Sequence, residues 1–319
     1  MENPKNKKEL SRLGLGCMRM SNATDSDRSA SIATIHAALD AGITFINTGD
    51  FYGSGQSEML VGEALKGSNR EKAFVSVKFG VLFSPNGTID GLDVRPQTIK
   101  NYLTYSLKRL NLDYIDLYQP ARIDLDIPVE ETIGAISDLV KAGYVKHIGI
   151  SQVGADTLQK AHAVHPISFI ESEYSLFNRN IEKQILPAAR QLGVGIVAFG
   201  ILAHGLLSGT YGNNSRIPLF SKENIEKNLS LVEALREIAV EKQITVPQLA
   251  FAWALAKGED IIPLIGARRV SSLQDSIKSL DVNLSESDMR RIENAVPENE
   301  IAGSSFPEIR FKNGRIVHP

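Results

Sequence analysis

Short apolar runs alternate with longer amphipathic stretches along nearly the whole chain. Runs rich in Val, Ile, Leu and Phe recur near Leu13–Cys17, Thr44–Asn47, Phe74–Lys78, Tyr114–Tyr118, His147–Ser151, Ser168–Ser172, Gly195–Phe199 and Ile261–Ile265. Their length and their polar or glycine-bearing ends predict β-strands. Helical spacing of apolar positions predicts helices near Ser57–Lys66, Pro96–Leu110, Val129–Ala142, Ala155–Ala163, Glu182–Gln191, Lys222–Lys242, Val246–Lys257 and Val270–Leu280. Pro96 fits a first-turn proline, and Lys141-Ala142-Gly143 reads as a basic last turn closed by a C-cap glycine.

Eight strands, mostly separated by one helix each, predict an α/β fold, a (β/α)8 TIM barrel forming a single domain over residues 1–319. The rival is a doubly wound sheet, which needs a glycine fingerprint after its first strand. Gly14-Leu15-Gly16 stands there, but no third glycine follows at the required spacing and no helix opens at once. Composition shows no domain break and no internal repeat. The connections Val81–Arg95 and His204–Ser221 are long and rich in Gly, Asn, Ser and Pro. On a barrel, loops after strands line the active-site face, so both are predicted lids. The path of the tail, Ile301–Pro319, is left open by the sequence, a course over the same mouth being one choice.

The chain is 43% hydrophobic and 23% charged, the balance of a soluble globular protein. A net charge of −2 argues against a nucleic-acid partner. Cys17 is the sole cysteine, which excludes an intrachain disulfide and suits a reducing compartment. The polar, lysine-rich stretch Met1–Leu10 lacks the apolar core of a signal peptide, and no apolar run approaches the roughly 20 residues that span a bilayer. A cytoplasmic protein acting on a small molecule, without membrane or nucleic-acid partners, is expected. His36, His147, His162, His165, His204 and His318 show no zinc spacing, so no metal is expected.

The candidate chemistry lies in Asn47-Thr48-Gly49-Asp50-Phe51-Tyr52-Gly53 and Val75-Ser76-Val77-Lys78-Phe79-Gly80. A tyrosine and a lysine at the mouths of neighbouring strands form an acid pair, the ammonium lowering the phenol pKa. These segments resemble the signatures of the aldo-keto reductases. The resemblance covers roughly residues 10–300. It implies a barrel oxidoreductase in which Tyr52 donates a proton, Lys78 activates it and NAD(P)H donates hydride.

The family's aspartate five residues before the tyrosine, partner of the lysine, falls at Asn47. Its histidine, in the pattern Asp-Leu-Tyr-x-x-His, falls at Ala121 when Asp116-Leu117-Tyr118 is aligned. Asn47 can hydrogen-bond Lys78 without neutralising it, so Lys78 is expected to lose its proton more readily. If Lys78 stays charged, Tyr52 ionises more easily; if not, less easily. Losing a donor at the carbonyl typically costs about 2.7–4 kcal/mol. Gln119, Arg122 and His204 are candidate replacements for the histidine, and Asp50 for the carboxylate. An arginine there would favour acidic or strongly polar substrates.

The resemblance also implies a cofactor site. Gly149-Ile150-Ser151-Gln152 and Glu171-Ser172-Glu173-Tyr174-Ser175 are similar to the family segments that hold the nicotinamide carboxamide, which assigns Ser151, Gln152 and Glu171 to it. Phe199 takes the place of the tyrosine stacked on the nicotinamide. Leu202, Gly205, Leu207 and Ser208 fall where the family wraps the pyrophosphate. Gly266, Arg268 and Arg269, between the last strand and a helix start, suit the 2′-phosphate of NADPH. Asp275 and Ser276 fall against the adenine. NADPH is therefore expected over NADH. Two alternatives stand beside carbonyl reduction: an NADPH-binding sensor or accessory subunit with little turnover, and a reductase of a conjugated or acidic substrate.

Overall fold

A strand that is apolar on both faces is stable only where both faces are covered. The computed structural model, which describes residues 10–20, 24–211, 217–305 and 310–317, meets that condition with a closed parallel barrel. The strands are β1 (Gly14–Gly16), β2 (Phe45–Gly49), β3 (Phe74–Phe79), β4 (Ile115–Pro120), β5 (Val145–Ser151), β6 (Ile167–Glu173), β7 (Gly195–Phe199) and β8 (Ile261–Ile265). Each pairs with the next, and β8 closes on β1 through Gly14 against Leu264. Every strand lies within two residues of its predicted ends.

The predicted helices are present as Gln56–Ala64, Pro96–Leu110, Val129–Lys141, Ala155–Val164, Ile185–Leu192, Ile225–Glu241, Val246–Ala256 and Val270–Ile277. Gly143, at φ +84°, follows the third of these as expected. Three further helices, Asp25–Asp40, Asn69–Lys72 and Glu286–Ala295, lie outside those predicted. Asp25–Asp40 packs with Ser31, Thr34 and Ala38 beside Ile35, Asn69–Lys72 buries no residue, and Glu286–Ala295 buries only Ile292.

Alternate residues of a strand face opposite ways, and in this barrel the inward positions are layered. Phe45, Phe74, Leu117, Phe169, Val197, Ile262 and Leu264 form an apolar plug. Phe45 stacks on Phe74 at 5.3 Å and meets Phe169 edge-on at 5.8 Å. Two residues further along the same strands stand Asn47, Ser76, Gln119 and Glu171, all buried. The plug thus floors a polar layer beneath the barrel mouth.

The predicted lid after β3 is a hairpin, Val81–Phe83 with Ile89–Leu92, not an irregular loop. The tail strand Arg315–Val317 adds to it, and Arg310–Lys312 pairs with that strand in turn, giving a four-stranded sheet. Gly91 permits the join, since a Cβ there would lie 2.1 Å from the Gly314 carbonyl oxygen. After β7 the chain makes short 3-10 turns at Ala203–Ser208 and Pro218–Phe220. The middle of that connection, residues 1–9, part of the tail and His318 lie outside the described residues.

Candidate active site

The β2–helix connection is a tight turn held to its neighbours by backbone bonds: Asp50 N–H donates to Lys78 O at 2.9 Å, and Tyr52 N–H to Gly49 O at 3.1 Å. The turn leaves through Gly53, Ser54 and Gly55, all at positive φ. It sets Tyr52 beside Lys78 of β3, whose Nζ lies 5.2 Å from the centre of the phenol ring. Burial pushes the Tyr52 pKa up, while the Lys78 charge and a hydrogen bond to Lys78 pull it back.

Lys78 is itself buried, and its ammonium is matched from inside the barrel. Nζ donates to Glu171 Oε1 at 2.6 Å and to Asn47 Oδ1 at 2.6 Å. Glu171 Oε2 accepts from Asn47 Nδ2 and from Gln119 Nε2, each at 2.7 Å. Gln119 Nε2 also reaches Ser76 Oγ at 3.2 Å. Gly149 gives Gln119 its room, because a Cβ there would lie 2.8 Å from Gln119 Oε1.

This arrangement overturns the expectation that Lys78 loses its proton readily. Burial disfavours the charge, but the Glu171 carboxylate and Tyr52 outweigh it, and the Lys78 pKa lies above its ordinary value. Glu171, read from sequence as a cofactor residue, carries its carboxylate into the Lys78 group. Asp50 does not supply the charge: burial, reinforced by Glu58, raises its pKa to about 8.

Ala121 is buried at the end of β4, its N–H on Phe79 O at 2.9 Å. Of its candidate replacements, Gln119 lies in the layer below. Arg122 is the one whose charge acts on Tyr52. Its guanidinium donates to Ala121 O at 2.6 Å; burial lowers its pKa, while Tyr52, Glu171 and Glu173 oppose the fall. His204 stands across the mouth, Nε2 3.7 Å from Glu173 Oε1.

On the cofactor side, Ser151 ends β5 with its Oγ buried and without a hydrogen-bond partner among the described residues. Gln152, at φ +53°, accepts the Glu173 N–H on its Oε1 at 3.0 Å, which leaves its NH2 as the group to donate. Phe199 ends β7, half-buried. Leu202, Gly205 and Leu207 occupy the turns that follow, Gly205 at φ +99°. Gly266, Arg268 and Arg269 are exposed between β8 and the helix Val270–Ile277. Both arginines add to the lowering of the Asp27 pKa, after its hydrogen bonds to Thr24. Asp275 is engaged by Gln248 Nε2 at 2.7 Å, and Ser276 Oγ donates to Ser272 O at 3.1 Å. The Asp275 side chain thus ties two helices together, while that of Ser276 bonds within its own helix.

Sequence reasoning missed Phe51 and Phe83. Their rings stack at 6.3 Å, and Phe51 meets Tyr52 edge-on at 4.7 Å, so an aromatic wall stands beside Tyr52. The signal was available in Val81-Leu82-Phe83 ahead of Asn86-Gly87, an apolar run before a hairpin dipeptide.

The family model described as "Aldo/keto reductase family" matches residues 12–297. A curated relative from Glycine max, "Probable aldo-keto reductase 1", is 40% identical over 310 residues, covering 93% of this chain and 89% of that protein. The solved structure of a glycerol dehydrogenase from Gluconobacter oxydans is 30% identical with a TM-score of 0.85, covering 94% of this chain and 96% of that one. An aldo-keto reductase from Klebsiella pneumoniae in complex with NADPH shares the fold, with a TM-score of 0.73 at 23% identity over 90% of this chain and 92% of that one.

Proposed function

We propose that this chain, which belongs to the aldo/keto reductase family, reduces the carbonyl of a small aldehyde or ketone with Tyr52 as proton donor, all within one barrel domain. NADPH supplies the hydride when bound. The observation that carries the reading is the buried ammonium of Lys78, 5.2 Å from the Tyr52 ring. As the proton leaves Tyr52, negative charge develops on the phenol oxygen, and a fixed cation stabilises that charge where water cannot.

The residues fit the cofactor. The buried Ser151 hydroxyl, without a partner among the described residues, and the Gln152 NH2 suit an amide, and a helix start flanked by Arg268 and Arg269 suits a phosphate.

A second reading names an acidic carbonyl compound as acceptor, and Arg122 favours it: a half-buried guanidinium beside Tyr52 seeks a carboxylate or phosphate partner. NADPH oxidation across neutral and carboxylated aldehydes, ketones and dicarbonyls, after NADPH binding is measured by fluorescence, tests both. Tyr52→Phe should abolish turnover and keep NADPH binding; binding without turnover across the panel would indicate a sensor instead. Arg122→Ala should raise KM for carboxylated acceptors alone.

A further inference from the structure

We infer that Glu171 is the positioning residue of the acid pair: from β6, on the far side of the barrel, it holds the Lys78 ammonium in place against Tyr52, with Asn47 as the neutral bridge. This rests on the carbonyl-reduction reading and deepens it. The geometry is closed. Lys78 Nζ has Glu171 Oε1 and Asn47 Oδ1 each at 2.6 Å, and Asn47 Nδ2 returns to Glu171 Oε2 at 2.7 Å, so three side chains form a ring. Gln119 Nε2 fixes the outer carboxylate oxygen at 2.7 Å.

The charges around Lys78 leave that role to Glu171. Cys17, from the segment after β1, has its thiol pushed by burial up to about 12 and so faces Lys78 uncharged. Arg122, after β4, is a cation, and the remaining neighbour is Tyr52 itself. Glu171 raises the affinity of both Lys78 and Tyr52 for their protons. The first proton lost from the pair is therefore retained to higher pH, whichever group gives it up.

The ring is also reversible. Moving the carboxylate to position 47 and the amide to position 171 keeps a carboxylate and an amide oxygen on Lys78. The new amide NH2 at 171 then donates to the carboxylate at 47. Gln119 meets this NH2 by turning its amide over, since its Oε1 now has no partner among the described residues. The site thus predicts a reciprocal exchange, neutral in combination and damaging in halves.

The test compares wild type, Glu171→Gln, Asn47→Asp and the double variant. Two readouts are used: reduction rate against pH, and ultraviolet titration of Tyr52 by difference from the matching Tyr52→Phe chain. NADPH binding is followed by fluorescence. Glu171→Gln should move the alkaline limb and the titration down by about one pH unit or more, which is tenfold in proton affinity per unit. It should leave NADPH binding little changed, and the double variant should restore rate and limb together. An unmoved titration with weakened NADPH binding would overturn the inference, making Glu171 a cofactor residue. So would a double variant no better than Glu171→Gln. The titration needs no turnover, so it reports on Glu171 even if no carbonyl in the panel is reduced. If Glu171→Gln fails to fold, a double variant that folds and titrates like wild type supports the exchange, and one that does not overturns it.

Discussion

Asp124 holds the tail in place: its Oδ2 accepts the Gly314 N–H at 2.5 Å, and its Oδ1 the neighbouring Asn313 N–H at 3.1 Å. Asp124 is buried just beyond β4, and the adjacent Leu125 N–H donates to Phe311 O at 2.9 Å. One carboxylate therefore fixes the turn between the two tail strands. Those strands extend the hairpin that carries Phe83, and Phe83 stacks on Phe51 beside Tyr52. The tail is thereby connected to the aromatic wall beside Tyr52.

Asp124→Ala should release this arrangement. The N–H groups lie on the exposed Asn313 and the half-buried Gly314, so each lost hydrogen bond costs about 0.5–1.5 kcal/mol, and here the cost falls on the tail sheet and not on the barrel. Amide hydrogen exchange should quicken at residues 310–317 and 89–92 with the helices unchanged. The carbonyl KM should rise while NADPH affinity holds. An equal loss of NADPH affinity would disconnect the tail from the carbonyl side.

Much of this architecture was legible because a barrel strand must be apolar inside and out, which leaves a dense run such as Phe74–Val77 in plain view. The helix Asp25–Asp40 was not, because a face packed with Ser31, Thr34 and Ala38 looks polar in a sequence. Tyr52 and Lys78 were legible as strand-end residues in a recognisable setting. The role of Glu171 was hidden for a geometric reason. Which inward side chains meet across a barrel depends on strand tilt and register, and no spacing along one chain encodes that β6 faces β3 at this height. Yet a hint existed, since a carboxylate missing at position 47 and one gained at 171 are departures of opposite sign. The hairpin after β3 carried a signal in Asn86-Gly87, but the glycine-rich composition of that connection masked it and the segment read as a loop.

Arg268 and Arg269 make the cofactor preference testable. Both are exposed at the start of the helix Val270–Ile277, where backbone N–H groups lack partners within the helix. Arg268→Ala should weaken NADPH binding by about tenfold, roughly one charge-assisted hydrogen bond, and leave NADH unaffected. Arg269→Ala should act in the same direction. The readout is the ratio of the two dissociation constants by fluorescence titration. A parallel loss for both nucleotides would assign the arginines to the shared pyrophosphate or to the fold.

Asp50 gives the fold a pH dependence whose sign can be worked out. Its Oδ1 is buried without a partner among the described residues, Oδ2 accepts the Gly80 N–H at 3.4 Å, and the Gly80 and Phe51 backbone bonds offset burial only in part. Burial and the nearby Glu58 raise its pKa from 3.8 to about 8. Between those values the folded chain keeps this proton and the unfolded chain releases it. Unfolding therefore releases a proton, and rising pH favours the unfolded state across that window. Below about 4 the group imposes no penalty, and above about 8 the penalty is complete and constant. Asp50→Asn keeps the shape and removes the ionisation, so its stability advantage over wild type should be absent near the lower pH, grow through neutrality and level off above the upper one. Urea midpoints measured across the range decide it. A difference that stays flat with pH would mean that Asp50 is ionised in the folded protein, matched by a partner such as Arg109, whose charge reaches it.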